Sequence, residues 1–135
     1  MATIQKFEDL KVWKKARELS QKIYPLTFVE PICPDFRFND QIRGSLGSIM
    51  DNIAEGFERG TKGEFITFLG YAKGSCGELR SQIYRAFDRN FITEAEFDHL
   101  KSTVLQISGL LQNFIGYLQK SEVSGVRKKI SPKEL

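Results

Sequence analysis

The fold is decided by the stretch Asn52-Ile53-Ala54-Glu55-Gly56-Phe57-Glu58-Arg59-Gly60-Thr61-Lys62-Gly63-Glu64-Phe65, which separates two apolar repeats. On both sides of it apolar residues recur every three or four positions, which is typical of one buried stripe on a helix. The first repeat comprises Ile42, Leu46, Ile49, Ile53 and Phe57, and the second comprises Phe65, Leu69, Ala72, Cys76, Leu79, Ile83 and Ala86. The intervening glycines permit the backbone to leave one helix and enter another. The sequence therefore predicts a helical hairpin, with Gly56 ending its first helix.

Two further amphipathic segments flank this hairpin. The first begins at Phe7 and is ended near Tyr24 by Pro25. The last begins after Thr93, where Glu96 stands in the capping-box position, as Glu64 does relative to Thr61. These elements predict an all-α, antiparallel up-down four-helix bundle in a single domain. We expect an N-terminal arm over 1–6, the bundle over 7–120 and a basic, flexible tail over 121–135.

The fourth predicted helix carries no charged residue on any side from Ser102 to Gln119. A helix with one buried stripe normally places lysine and glutamate on its other side. We therefore expect burial on two sides, one of them against another copy of the chain. Near the start of the third helix, the segment from Phe65 to Gly77 carries Lys73 as its one charge and joins the same argument. The predicted contact residues of a homo-oligomer are Phe68, Tyr71, Leu105, Gly109, Leu110, Gly116 and Tyr117.

The glycines of the third helix, Gly70, Gly74 and Gly77, strengthen this expectation. Each costs up to about 1 kcal/mol relative to alanine in a helix interior. Glycine is suited to positions where another backbone comes close, so we expect tight helix–helix contact there.

The charge of the chain is mild, at +3. Four cations against two carboxylates leave +2 in the last fifteen residues and so +1 in the rest, which argues against a strongly basic nucleic-acid-binding domain. Local phosphate contacts stay open as an alternative to surface salt bridges. The candidates are Arg43, Arg59, Lys73 and Arg80, with Lys11, Lys14, Lys15 and Lys22 of the first helix either assisting them or forming a solvated face.

Catalytic and metal-binding patterns are weak. Glu96 and His99 match one Glu-x-x-His motif, but a di-iron bundle needs two, and the chain has one histidine. Cys33 and Cys76 have no evident base, and we expect both to be free thiols. Polar residues at 106, 112, 113 and 119 argue against a membrane span. No N-terminal stretch resembles a signal peptide. We predict no enzyme activity, no cofactor, no metal, no membrane partner and a cytoplasmic location.

Four motifs, read in order, resemble one known family. They are Phe7-Glu8-Asp9-Leu10-Lys11-Val12-Trp13-Lys14-Lys15-Ala16, Asp40-Gln41-Ile42-Arg43, Ser48-Ile49 with Asn52-Ile53-Ala54-Glu55-Gly56-Phe57, and Glu64-Phe65 with Phe68-Leu69 and Ala72-Lys73-Gly74-Ser75. Over about residues 4–120 the chain looks like the four-helix bundle proteins encoded by intervening sequences in bacterial 23S rRNA genes, also called the S23 family. At one point it departs from the family pattern, because Met50 and Asp51 replace Pro and Ser.

The resemblance implies a bacterial four-helix bundle that assembles as a ring-shaped homopentamer. Related bundles accompany a reverse transcriptase in diversity-generating retroelements, where a basic pentamer binds nucleic acid. Two functions therefore stay open. The first is a non-enzymatic scaffold or partner-binding ring, and the second is an RNA- or DNA-binding accessory protein.

Overall fold

The computed structural model describes residues 4–121, and the predicted tail beyond Ser121 lies outside the described residues. The described part folds into four α-helices with no β-strand. They are α1 (Lys11–Ile23), α2 (Phe36–Arg59), α3 (Lys62–Asp88) and α4 (Glu94–Lys120). The helices α1 and α3 each pack against both α2 and α4, which closes the bundle. The predicted all-α, four-helix, single-domain architecture is confirmed.

The first helix starts later than predicted. Phe7–Asp9 forms a 3-10 turn, and α1 begins only at Lys11. A second 3-10 segment, Tyr24–Phe28, follows α1 directly. Pro25 lies in its first turn, so α1 does end where this proline was expected to end it.

The helix starts are capped as the sequence predicts. The Thr61 side chain accepts a hydrogen bond from the backbone N–H of Glu64, at 3.3 Å. At α4 the capping box is complete, because Thr93 Oγ1 accepts from the Glu96 N–H and Glu96 Oε1 accepts from the Thr93 N–H. A cap of this kind contributes about 1 kcal/mol.

The corner between α2 and α3 corrects one prediction. Gly56 does not end α2, which continues to Arg59 and is followed by Gly60 in the left-handed region, at φ 86°. Gly56 is buried instead, and a Cβ placed on it would lie 2.7 Å from Phe68 Cβ. Gly60 thus reverses the chain, while Gly56 lets α2 and α3 approach each other closely.

The core fills the centre of the bundle with the predicted apolar stripes. Phe65 is fully buried and joins three helices, with ring-centroid distances of 5.9 Å to Phe57 and 5.1 Å to Phe114. Both pairs are edge-to-face, an arrangement worth about 0.5–1.5 kcal/mol beyond area burial. The α4 seam contributes Phe97, Leu100, Val104, Ile107, Leu111, Phe114 and Leu118.

A short polar network crosses the α2–α3 interface. Asn52 Nδ2 donates to the backbone oxygen of Ser48 at 2.8 Å and to its Oγ at 2.9 Å. The Ser75 hydroxyl of α3 donates to the same Ser48 Oγ at 2.8 Å. Asn52 therefore acts through Ser48, one turn back in its own helix, rather than by reaching across the corner.

Candidate self-association surface

The two sides of α4 differ in burial although neither carries a charge over 102–119. On the inner side Val104, Ile107 and Leu111 are at most 1% exposed. On the outer side Leu105 is 42% exposed and Gly109 is exposed. Residues 4–121 therefore cover one side of this uncharged segment and leave the other exposed.

One exposed stripe on the outer side of α3 consists of small residues. Spacings of four and three alternate along it, so its members share one side of the helix. They are Gly63, Thr67, Gly70, Gly74, Gly77 and Ser81, and all are exposed. We name the outward residues Gly70, Gly74, Gly77, Leu105, Gly109 and Gly116 of α3 and α4 the small-residue face.

The expected tight packing around the α3 glycines does not occur among residues 4–121. A Cβ placed on Gly70, Gly74 or Gly77 would meet nothing within 4 Å. The same holds for Gly109 and Gly116 of α4. These glycines point away from the bundle, since the core of α3 is formed by the opposite side of that helix.

The structure places the predicted contact residues in different surroundings. Phe68 and Tyr71 lie together near the α2–α3 corner, with ring centroids 5.5 Å apart, and the Arg59 guanidinium lies 5.2 Å from the Phe68 ring. Leu110 and Tyr117 are half-buried and pack against the core. Of the predicted set, the small-residue face contains Leu105, Gly109 and Gly116, and contact with another copy through any of the seven residues stays a prediction.

Two of the predicted cations lie beside the small-residue face. Lys73 is half-buried and Arg80 is exposed, and neither forms an ion pair among the residues that the structure describes. Cys76 lies between them on the buried side of α3. Burial raises the pKa of the Cys76 thiol to about 12, and the positive charges of Lys73 and Arg80 oppose that rise. Cys76 is therefore a poor nucleophile at neutral pH.

The other two predicted cations are held by contacts within the chain. Arg43 Nε donates to Thr27 Oγ1 at 2.8 Å, and the Arg43 guanidinium lies 4.2 Å from the Phe28 ring centroid. Arg59 pairs with the carboxylates of Glu55 and Glu64, at 3.7 and 3.4 Å. The structure thus does not gather the four predicted phosphate contacts into one patch, and their binding role stays a prediction.

A polar groove of about 470 Å³ lies between α2 and α3. Its lining comprises Asp40, Gln41, Gly44, Ser45, Ser48, Ser75, Glu78, Ser81, Gln82 and Arg85. Gln82 Nε2 donates to the Gln41 backbone oxygen, while the buried Gln82 Oε1 has no partner. None of the described hydrogen bonds joins a groove serine to a histidine or lysine, so the groove shows no activated nucleophile.

His99 is not among the residues that line this groove. It is exposed on α4, and its Nε2 lies 3.1 Å from Lys22 Nζ. Within residues 4–121 no group of three or more histidine, cysteine, aspartate or glutamate side chains is arranged to hold a metal ion.

Sequence reasoning missed an exposed aromatic cluster at the α1–α2 connection. Tyr24, Phe28, Val29 and Phe36 are 46%, 57%, 54% and 78% exposed. The sequence feature that could have indicated these exposed side chains is a set of apolar residues near prolines that follows no helical repeat.

Comparison with known proteins agrees with this fold. The family described as 23S rRNA-intervening sequence protein matches residues 8–113. The chain belongs to this family. Among solved structures, a crystal structure of a protein of unknown function from the S23 ribosomal protein family of Bacteroides thetaiotaomicron VPI-5482 is similar, with a TM-score of 0.71 and 23% identity. The match covers 77% of this chain and 97% of that chain, and it supports the fold.

No curated protein matches the chain. The helices of the described residues include none that is both long and apolar enough to cross a membrane.

Proposed function

We propose that this family member is a non-enzymatic, self-associating bundle that serves as a scaffold or partner-binding assembly. The observation that carries the proposal is the small-residue face, where α4 has no charge from Ser102 to Gln119 yet leaves Leu105 exposed. The homopentameric ring implied by the family resemblance is the expected form of the assembly.

The glycines support self-association on energetic grounds. Each one costs up to about 1 kcal/mol relative to alanine in a helix interior. Five of them open outward on the small-residue face, and a domain is stable by only about 5–15 kcal/mol. A second backbone packed against them would offset this cost, because helices approach most closely where side chains are small.

Sedimentation of the chain at micromolar concentration tests the proposal. We expect the wild type to sediment as an oligomer and Leu105→Glu as a smaller species, since the interface would bury an unpaired charge. Phe36→Glu is the matched control, because Phe36 is even more exposed but lies outside the small-residue face. A monomeric wild-type chain would contradict the proposal.

Binding of RNA or DNA is a second candidate function. It is favoured by the placement of Lys73 and Arg80, which lie seven residues apart on α3 and form no ion pair within the described residues. Cations free of acidic partners are suited to phosphate contact. Several copies in one assembly would strengthen a weak patch through avidity.

Retardation of RNA in a gel at about 50 mM salt tests this second candidate. The double variant Lys73→Ala with Arg80→Ala should weaken the complex, and higher salt should weaken it further. Arg59→Ala is the matched control, because Arg59 is already paired with two glutamates. Absence of a shift with the wild-type chain would exclude the function.

A further inference from the structure

The polar groove between α2 and α3 contains a buried acceptor that no group of the described chain satisfies. Its lining residues Ser45, Ser75 and Gln82 are only 5%, 7% and 6% exposed. Gln82 Nε2 donates to the Gln41 backbone oxygen at 3.3 Å, but Gln82 Oε1 is buried and accepts no hydrogen bond among residues 4–121. A buried acceptor without a donor is unfavourable, so this amide favours a ligand that brings N–H or O–H groups.

The rim of the groove has an excess of negative charge. Asp40 and Glu78 line it and are exposed, and neither forms an ion pair within residues 4–121. The cation of the lining, Arg85, is already engaged within the chain. Its Nη1 donates to Gln41 Oε1 at 2.8 Å, and its guanidinium lies 5.4 Å from the Phe38 ring centroid. The uncompensated charge in the groove is therefore negative.

Two hydrogen bonds determine how α2 and α3 lie level with each other. Gln82 donates to the backbone oxygen of Gln41, and Ser75 donates to the hydroxyl of Ser48. The bonded positions are seven residues apart on each helix, so the two antiparallel helices keep one register along the groove. Each lining residue of α2 can therefore be assigned to a level on α3.

Each of the two carboxylates shares a level with a buried polar side chain. Glu78 is level with Ser45, whose hydroxyl takes part in no hydrogen bond among the described residues. Asp40 lies within one residue of the level of Gln82. The levels of the two carboxylates are five residues apart, or about 7.5 Å at a rise of 1.5 Å per residue. The groove thus presents two separate groups of oxygen acceptors.

We infer that the polar groove binds a small, linear organic cation with an ammonium group at each end. One ammonium contacts Asp40 and Gln82 Oε1, and the other contacts Glu78 and the Ser45 hydroxyl. An ammonium group has three N–H donors and no acceptor, which suits carboxylate, amide and hydroxyl oxygens. Hydrogen bonds between ionised groups are also stronger than those between neutral ones. The inference does not depend on the self-association proposed above.

Other classes of small ligand fit these groups less well. An anion such as phosphate would face two carboxylates, while Arg85 is held by Gln41. A neutral polyol brings donors but leaves Asp40 and Glu78 without a counter-charge. A cation without N–H groups balances the charge but leaves the buried amide oxygen unsatisfied.

The length of a short diamine matches the spacing of the two acceptor groups. The nitrogens of extended putrescine, a diamine with a four-carbon chain, are about 6 Å apart, since single bonds of about 1.5 Å join its atoms in a zigzag. The hydrogen bonds at its two ends span the remaining distance. The amide of Gln82 can turn its oxygen towards a donor, because its 3.3 Å bond is long and the terminal torsion of glutamine is broad.

Calorimetric titration of the full chain with putrescine at low salt tests the inference, because salt screens exposed charges. The wild type should bind the diamine saturably. Asp40→Asn and Glu78→Gln should each weaken binding at least about tenfold, since each removes a charge-assisted contact. Gln82→Met keeps the length of the side chain but removes the amide oxygen, and it should weaken binding at least about threefold.

Asp51→Asn and Glu18→Gln are the matched control variants, because each removes an exposed carboxylate that does not line the groove. Their affinity for putrescine should stay within about twofold of the wild type. Two analogues are control ligands: the four-carbon diol has no charge, and hexamethylated putrescine has both charges but no N–H donor. Each should bind at least about tenfold more weakly than putrescine. Circular dichroism of every variant verifies that the helices are retained.

Four outcomes would contradict the inference. The first is the absence of saturable putrescine binding by the wild type, and the second is an equal loss of affinity in the groove variants and the control variants. The third is wild-type affinity in Gln82→Met, which would show that the buried amide is not part of the site. The fourth is equal binding of the diol or of the hexamethylated compound, because the groove would then not recognise a charged N–H donor.

Discussion

The inner and outer sides of α3 use small residues in opposite ways. On the inner side, α3 packs so closely against Gly56 of α2 that a Cβ there would lie 2.7 Å from Phe68 Cβ. On the outer side, a Cβ on Gly74 would meet nothing within 4 Å. Packing among the described residues therefore accounts for Gly56 and does not account for Gly74. Glycine in a helix therefore does not by itself indicate close approach, because a neighbouring helix of the chain packs against Gly56 and none packs against Gly74 within residues 4–121.

The largest effect on stability is expected on the inner side of α3. Leu69→Ala should lower the free energy of unfolding by about 2–5 kcal/mol, because Leu69 is fully buried and its removal leaves a cavity. Urea denaturation measures this difference. Ser81→Ala on the outer side is the control and should change stability by no more than about 0.5 kcal/mol. If the two substitutions lowered the free energy of unfolding equally, the inner and outer sides of α3 would not differ in packing.

A smaller loss is expected at the close approach itself. Gly56→Ala should lower the free energy of unfolding by about 1–3 kcal/mol, because the new methyl group overlaps Phe68 and Phe65 and forces them apart. Thermal unfolding of the variant beside the wild type measures it. An unchanged or raised melting temperature would show that α2 and α3 are farther apart than described.

The thiol of Cys76 on the inner side predicts a loss of stability at alkaline pH. Its folded-state pKa is raised from 9.0 to about 12, so the unfolded chain releases the proton first as pH rises. The contribution of the Cys76 thiol to the free energy of unfolding is therefore fully present below about pH 9. It decreases between about pH 9 and 12, by at most about 1.4 kcal/mol per pH unit.

Urea denaturation of the wild type and of Cys76→Ala at pH 8 and pH 10 isolates this contribution. The wild type should lose more stability over that interval than the variant does. Identical pH dependence in the two chains would show that Cys76 is accessible to water.

The smallest effect is expected on the outer side. Gly74→Ala should raise the stability of the dissociated chain by up to about 1 kcal/mol, since alanine is the better helix former and the space is open. Denaturation at concentrations too low for association measures this gain. A loss of stability there would mean that the open space is already occupied within a single chain.

Periodicity and capping residues were sufficient to predict most of the fold. The stripes on α2, α3 and α4 and the caps at Thr61 and Thr93 are local patterns, and local patterns are set by residues a few positions apart. The end of α2 was mispredicted, because Gly56 and Gly60 look alike in sequence. Gly60 alone has a positive φ, while Gly56 is explained by a contact with Phe68 of the next helix.

The candidate site was less predictable. The uncharged length of α4 indicated an exposed face, but it could not separate Leu105 from Leu110, which are five residues apart and differ in burial. Likewise, four cations of similar sequence context divide into two groups. Arg43 and Arg59 are bound by neighbouring side chains, whereas Lys73 and Arg80 form no described ion pair.

By itself the sequence determined the helical class, the number and order of the four helices and the absence of charge from Ser102 to Gln119. These properties depend on backbone propensity and on which residues repeat along one helix. Only the tertiary structure decided which glycines pack against a neighbouring helix and which lie on the outer side of their helix. It also decided which charges are already paired. The physical reason is that both depend on how helices distant in sequence are placed side by side, and spacing along a single helix carries no information about that placement.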